Sequence, residues 1–353
     1  MPNEPSGASA HEPHALPSEA EVRGVADRVA AGLRKPSRSR DPQTMSGLRQ
    51  ELQALRWRLL QGTQALRNSG PLGVDAQRTI GEASSWLARL AAIEFCVAEQ
   101  FEGKSRPLYP APLQPDDLHF RQAETLDRFI ESLNLLVGTG VQSEEARAAG
   151  LHPDTRLRTS VFLGHAHAAY RVLLAQARPG RSTFLDVGCG LGQKVLLARH
   201  FFDQADGVEL DEGYAAASKK LFSHMQSQAR VFEEDALEFN GYGEYRLVYF
   251  FKPMQDQDGL LRLEERIVQG VQPGTVLIAP YSDFADRAEA YGVHPIDGSV
   301  YLAGGSSDDA VALREEAERI GTFVAHGRPP IMVDAVWQEL VMASWMRGYN
   351  PFP

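Results

Sequence analysis

The sequence predicts an α/β protein, a doubly wound and mostly parallel sheet preceded by a helical extension. Three observations predict it. Beyond residue 155, short apolar runs alternate with amphipathic ones, the pattern of parallel strands covered by helices on both faces. One strand-to-helix junction, "FLDVGCGLGQK" from Phe184 to Lys194, carries glycine at every second position. The first half of the chain instead repeats leucine at helical spacing.

The chain has 353 residues, long for one domain, so two units are expected. A hydrophobic fraction of 43% is enough for a core. The net charge of −10 argues against broad, phosphate-driven binding of nucleic acid. Two cysteines far apart, Cys96 and Cys189, form neither a disulfide framework nor a zinc motif, so no metal is expected. No apolar run is long enough for a bilayer, and the N-terminus lacks the apolar core of a secretion signal. A cytoplasmic setting without membrane contact is the expectation.

Residues 1–44 are rich in Pro, Ser, Ala, Glu and Arg and poor in large apolar side chains, which predicts a disordered tail. Its basic residues Arg28, Arg34, Lys35 and Arg38 read as a solvated run or as a docking segment for an acidic partner. Residues 45–150 predict a small helical bundle or cap. Leu48, Leu52, Leu55, Leu59 and Leu66 mark one helix, which "GPLG" ends. Trp86, Leu87, Leu90, Ile93 and Val97 mark a second. After the connector "SRPLYPAPLQP", Leu126, Phe129, Ile130, Leu133 and Leu136 mark a third, its start favoured by Asp116 and Asp117. "GTGVQSEEARAAG" reads as a linker.

Residues 151–353 predict the α/β domain. It opens with the helix "SVFLGHAHAAYRVLLAQA", and the strands "STFLDVG", "ADGVELD", "ARVFEED", "YRLVYFF" and "GTVLIAPY" follow with helices between most of them. An antiparallel pair is expected to finish the sheet, with "GSVYLAG" and either "TFVAH" or "IMVDAVW" as candidates. In an open parallel sheet, ligands bind beyond the carboxyl ends of the strands. Gly188, Gly190 and Gly192 fall there; glycine tolerates a positive φ and lets a ligand approach the backbone. A dinucleotide fingerprint fits poorly, because the sixth position counted from Gly190 is Val195. No G-K-[ST] follows, so no phosphate-binding P-loop is present.

"FLDVGCGLG" resembles the first motif of the class I S-adenosylmethionine-dependent methyltransferases. The resemblance covers about residues 155–285 and implies a Rossmann-like, seven-stranded sheet. It implies that Gly188, Gly190 and Gly192 approach the methionine part of S-adenosylmethionine, and that Asp186 helps position it. It further implies that Glu209, at the end of the next strand, accepts from the ribose hydroxyls. Asp235 and the Ala236 backbone would meet the adenine. Phe250 or Phe251 would wall the cofactor or substrate, or serve as ordinary core.

Methyl transfer from a sulfonium needs alignment and exclusion of water more than a fixed catalytic dyad, so no catalytic residue is named. Where amino-group methyltransferases carry an N-P-P-Y-like motif, this chain has Phe251-Lys252-Pro253-Met254, which lowers the case for base methylation. Lys252 is an anion-binding group or a surface charge. His165 and His167, two apart on a helix, point apart and do not suit shared metal ligation. The expected activity is methyl transfer to a small-molecule or protein acceptor. A cofactor-binding module without catalysis and an RNA methyltransferase anchored by the basic tail stay open beside it.

Overall fold

The structure is a computed structural model and describes residues 15–138, 141–144, 157–254, 256–325 and 335–352. The chain divides into two units, residues 1–104 with 329–353 and residues 105–328.

The first unit is helical. Helix α1 (Glu19–Arg34) begins at a capping box, in which Ser18 and Glu21 bond reciprocally to each other's backbone N–H. Helix α2 (Pro42–Asn68) is capped by Asp41, and α3 (Val74–Glu102) follows a short turn. Val22, Ala26, Val29 and Leu33 of α1 are buried against Leu48, Leu52, Leu55 and Leu59 of α2 and Leu90, Ile93 and Val97 of α3. Gly32 permits the close approach, since a Cβ there would lie 2.7 Å from Leu48. The C-terminal helix Gln338–Trp345 completes this core with the fully buried Trp337 and Leu340.

Two expectations are corrected here. Residues 19–34 are a packed helix rather than a disordered tail, because the stripe at 22, 26, 29 and 33 buries enough apolar surface to offset ordering. Its basic residues are engaged: Arg28 pairs with Glu51 at 2.7 Å, and Arg34 pairs with Glu339. The unit boundary also falls near residue 104 rather than 150, and the last residues join the helices rather than the sheet. "IMVDAVW" is therefore not a sheet strand where it is described: Val336 and Trp337 lie in the helical core, and residues 331–334 lie outside the described residues.

The second unit holds α4 (Leu118–Gly138), α5 (Thr159–Gln176), β1 (Thr183–Val187), α6 (Gln193–Ala198), β2 (Gln204–Glu209), α7 (Glu212–His224) and β3 (Val231–Glu233). It continues with β4 (Leu247–Phe250), α8 (Gln257–Gly270), β5 (Val276–Ile278), α9 (Ser282–Arg287), β6 (Val293–Asp297), β7 (Val300–Ala303) and α10 (Ser307–Glu318). Among the described residues the sheet has seven strands in the order β3-β2-β1-β4-β5-β7-β6. The first five are parallel, and β7 is antiparallel to both its neighbours. This is the expected Rossmann-like α/β sheet. "GSVYLAG" is β7 as expected, but its partner is β6 just before it. Residues 322–325 of "TFVAH" are not a strand, and His326 lies outside the described residues.

Strand alternation sorts the core onto the two faces of the sheet. Phe184, Leu247 and Tyr249 face one layer with Phe162 of α5, while Leu185, Val187, Val248 and Phe250 face the other with Leu263 and Ile267 of α8. Leu126, Phe129, Leu133 and Leu136 of α4 are exposed, whereas Asn134 on the same helix is buried. Strand order reverses between β1 and β4, so a crevice is expected beyond the carboxyl end of β1.

Candidate functional site

The β1–α6 turn occupies that crevice. Gly188, Gly190 and Gly192 all have positive φ, at 75°, 53° and 71°. A Cβ at Gly188 would lie 2.7 Å from Pro253, and one at Gly192 would lie 2.6 Å from the Phe222 ring. Both space and conformation therefore demand glycine at these two positions. The N–H groups of Gly188 and Cys189 donate to the Val208 carbonyl of β2, at 2.9 and 3.0 Å. The turn is thus stitched to the neighbouring strand.

Glu209 ends β2 beside this turn. Its Oε2 accepts from the Gly190 N–H at 2.8 Å and its Oε1 from the Asp211 N–H at 2.9 Å. Two backbone donors hold the carboxylate in one orientation at the cavity edge. Asp211 caps α7 by accepting from the Tyr214 N–H at 2.9 Å. It also accepts from the N–H and Oγ of Ser143, each at 3.0 Å. Residues 141–144 are thereby pinned over the site, and the Val141 carbonyl occupies the place a Cβ on Gly213 would take. Asp235, just past β3, accepts from the Leu237 N–H at 2.9 Å.

One cavity gathers these groups. Its lining includes Gly188, Gly190, Glu209, Asp235 and Ala236, with Phe251 to Met254 opposite them. Among the described residues, the carboxylates of Glu209, Asp211, Glu234 and Asp235 line it, together with the ammonium of Lys252. Lys252 itself has a φ of 44°, rare for a residue with a side chain. Its Nζ lies 3.1 Å from Asp283, which holds the Asp283 carboxyl below its usual range, and sits over the Tyr281 ring. Tyr281 donates to the buried Glu264 at 2.8 Å, and burial pushes the phenol's pKa upward.

Five of the eight residues singled out from sequence line the cavity, and three do not. Asp186 is buried on β1 behind the turn. Gly192 is the N-cap of α6, packed on Phe222. Phe250 is corrected to core: alternation along β4 turns it inward, 5.1 Å from Phe284 and edge-on to it. Phe251, one position beyond the strand, lines the cavity instead.

Reading from sequence missed Gln142, Asp211 and Tyr214, which also line the cavity. Asp211 had a local signal as an N-cap before "EGYAAAS"; Gln142 had none, because it sits in a segment that reads as a plain linker. Gly207 was also missed: a Cβ there would lie 2.5 Å from Cys189 Sγ. His165 and His167 have separate partners, Tyr109 Oη at 2.7 Å and the Thr322 carbonyl at 3.1 Å, and neither lines this cavity. Burial holds the His165 pKa down at about 4.

No protein-family model matches the chain, and no curated protein sequence matches it. Solved structures share part of it. The sugar N-methyltransferase KedS8 from Streptoalloteichus sp ATCC 53650 is 22% identical, over 34% of this chain and 49% of that one, with a TM-score of 0.28. An RNA methyltransferase from Salinibacter ruber, in complex with S-adenosyl-L-homocysteine, is 16% identical over 35% and 76%, with a TM-score of 0.30. The N-methyltransferase NodS from Bradyrhizobium japonicum WM9, also with S-adenosyl-L-homocysteine, is 14% identical over 44% and 74%, with a TM-score of 0.28. This chain spans about half the length of the first of these. The overlaps are partial and transfer no substrate. These solved structures are methyltransferases, and the strand order of the sheet makes this unit a Rossmann-like α/β fold on its own evidence.

Proposed function

We propose that the sheet unit binds S-adenosylmethionine in the glycine-turn cavity and transfers its methyl group to a small-molecule or protein acceptor. The observation that carries this reading is Glu209, fixed by two backbone N–H groups at the carboxyl end of β2 and lining the cavity. A carboxylate held this way is an acceptor suited to a vicinal diol. The excess of carboxylates suits a ligand that carries a sulfonium and an ammonium against one carboxylate.

In this reading the backbone of Gly188 and Gly190 receives the methionine portion and Glu209 the ribose. Asp235 and Ala236 take the adenine, with Phe251, Pro253 and Met254 as apolar walls. When bound, the sulfonium supplies a methyl group already activated for displacement. The protein's own task is to align the acceptor and exclude water. The segment at 141–144, tied to Asp211, helps to cover the cavity.

Calorimetric titration with S-adenosylmethionine, S-adenosylhomocysteine and NADH tests this. Binding of the first two and not of NADH is expected. Binding of NADH alone, or of none of the three, overturns the reading and leaves only the fold.

A further inference from the structure

Asn134 is a buried amide whose Oδ1 has no hydrogen-bond partner among the described residues. It belongs to α4, which exposes its leucines and buries this polar group instead. A buried carbonyl oxygen left unpaired loses its hydration without compensation, so its presence points to a partner supplied from outside the chain. The amide stands where two cavities meet. One is a groove of about 860 Å³ between the Pro-rich connector, α4 and the start of α5. The other is a small cavity against the far side of the glycine turn, lined by Cys189, Leu191, Gln193 and Lys194. Asn134, Leu157 and Thr159 line both, so the groove leads past the amide to the turn.

The walls of the groove are anchored. Arg171 of α5 is buried and donates to the carbonyls of Arg106 at 2.7 Å and Pro107 at 2.8 Å, and Leu108 is buried beside them. Ser160 donates from its N–H and its Oγ to Asp127, at 2.8 and 2.6 Å, which ties the start of α5 to α4. Leu113, Phe120, Ile130, Leu157 and Val161 supply apolar lining. The volume lies within the range of small-molecule sites, roughly 300–1,000 Å³.

We propose that this groove is a ligand site, and that Asn134 Oδ1 accepts a hydrogen bond from an N–H or O–H group of a small molecule with an apolar body. The proposal rests on the groove and its orphaned amide and not on the methyl-transfer reading. The apolar body follows from Leu113, Phe120, Ile130, Leu157 and Val161. The charged lining is mixed, Glu124, Asp127 and Glu131 against Arg128 and Arg158, so it selects no single sign of ligand charge, and the orphaned oxygen selects a donor.

The test uses two matched pairs, indole with 1-methylindole and phenol with anisole, in which methylation removes the donor and keeps the ring. Ligand-observed NMR titration of the full chain measures all four, and calorimetry follows S-adenosylhomocysteine in parallel. One hydrogen bond predicts indole and phenol to bind about threefold to tenfold more tightly than their methylated partners. Asn134→Leu, with the same branched heavy-atom skeleton, abolishes that preference and leaves S-adenosylhomocysteine affinity unchanged. The same variant melts at or above the wild-type Tm, because an orphaned polar group has been removed; a structural hydrogen bond would move Tm the other way.

Equal binding of donors and methylated partners by the wild type overturns the role of Asn134, and absence of binding by all four overturns the groove as a site. Weaker S-adenosylhomocysteine binding in Asn134→Leu would place the amide in the donor site and overturn the proposal. Failure of the methyl-donor reading shows separately, as wild-type protein that does not bind S-adenosylhomocysteine while it still discriminates the pairs; the groove then stands as a ligand site by itself.

Discussion

Asp206 and Glu209 sit three residues apart on β2, one mid-strand and one at its carboxyl end, and their surroundings differ in kind. Asp206 is fully buried. It accepts from Arg230, Tyr245, Gln204 and the Arg230 backbone N–H, and these bonds outweigh burial and hold its carboxyl below the usual range. Glu209 is half-buried, takes two backbone N–H groups and borders the cavity. The first carboxylate is consumed by the fold. The second is oriented by the backbone and set at the edge of the cavity. Acid identity therefore does not separate a carboxylate spent in the fold from one that borders the cavity; position on the strand and partners do.

The largest expected effect breaks the structural end. Asp206→Ala leaves Tyr245 and Arg230 without their acceptor. Because Arg230 is half-exposed and regains water, the expected loss is about 2–4 kcal/mol, less than for a fully buried pair. Urea unfolding measures it, and S-adenosylhomocysteine affinity of the folded protein stays within about twofold. A fall in affinity matching that of a Glu209 variant would erase the contrast between the two acids.

Next is the glycine turn after β1. Gly192→Ala combines a φ of 71° with a Cβ 2.6 Å from Phe222. We expect about 2 kcal/mol of destabilisation and weaker ligand binding, because α6 and the turn must shift. A variant as stable as wild type would show that Phe222 yields without cost.

Glu209→Gln sharpens the comparison from the ligand side. The amide keeps the shape but loses the charge and one of the two acceptors that the Gly190 and Asp211 N–H groups use, so affinity for S-adenosylhomocysteine falls about tenfold, as expected for a hydrogen bond to a charged group. Stability falls by about 1–2 kcal/mol, because one of those backbone donors is left facing the new NH2 group. Unchanged calorimetric affinity would remove Glu209 from the site.

Acid titration probes α5, remote from both acids. Burial lowers the pKa of His165 to about 4 and also lowers that of His167. Both lie below the unfolded value of about 6.5, so the unfolded chain binds more protons in this window. Their contribution is complete above about pH 6.5 and declines as pH falls toward 4, by about 1–2 kcal/mol for His165 after allowing for its partial exposure. Urea unfolding at pH 7 and pH 5 reads the slope, which His165→Asn should flatten.

The smallest effect is expected at Lys252→Gly. Relief of the left-handed conformation, about 1 kcal/mol, offsets loss of the half-exposed pair with Asp283, leaving a net change within about 0.5 kcal/mol. A clear loss of stability in thermal melts would give that pair more weight than its exposure allows.

Much of the sheet unit was legible because its signals are local. The glycine run, the acid at the end of β2 and the acid after β3 each sit at a strand end that apolar patterning marks. Helix α1 was legible in part: "SEAE" carries the capping-box residues Ser18 and Glu21, but its alanines and short valines read as tail composition. Phe250 and Phe251 were not separable, because strand phase at a terminus depends on where pairing stops. Gln142 and Asn134 had no signal, since their neighbours along the chain say nothing of the cavities they line.

The sequence by itself determined the alternation of strands and helices, the glycine turn and the order of the acids around it. Those properties follow from side-chain periodicity and from backbone conformations that only certain residues adopt. Only the tertiary structure decided that the chain's last residues pack with its first helices. It alone decided which acid is spent in a buried network, which aromatic borders the cavity, and that a polar residue is buried where a groove meets an inner cavity. These are contacts between segments far apart in sequence, and no local pattern encodes the partner a side chain will meet.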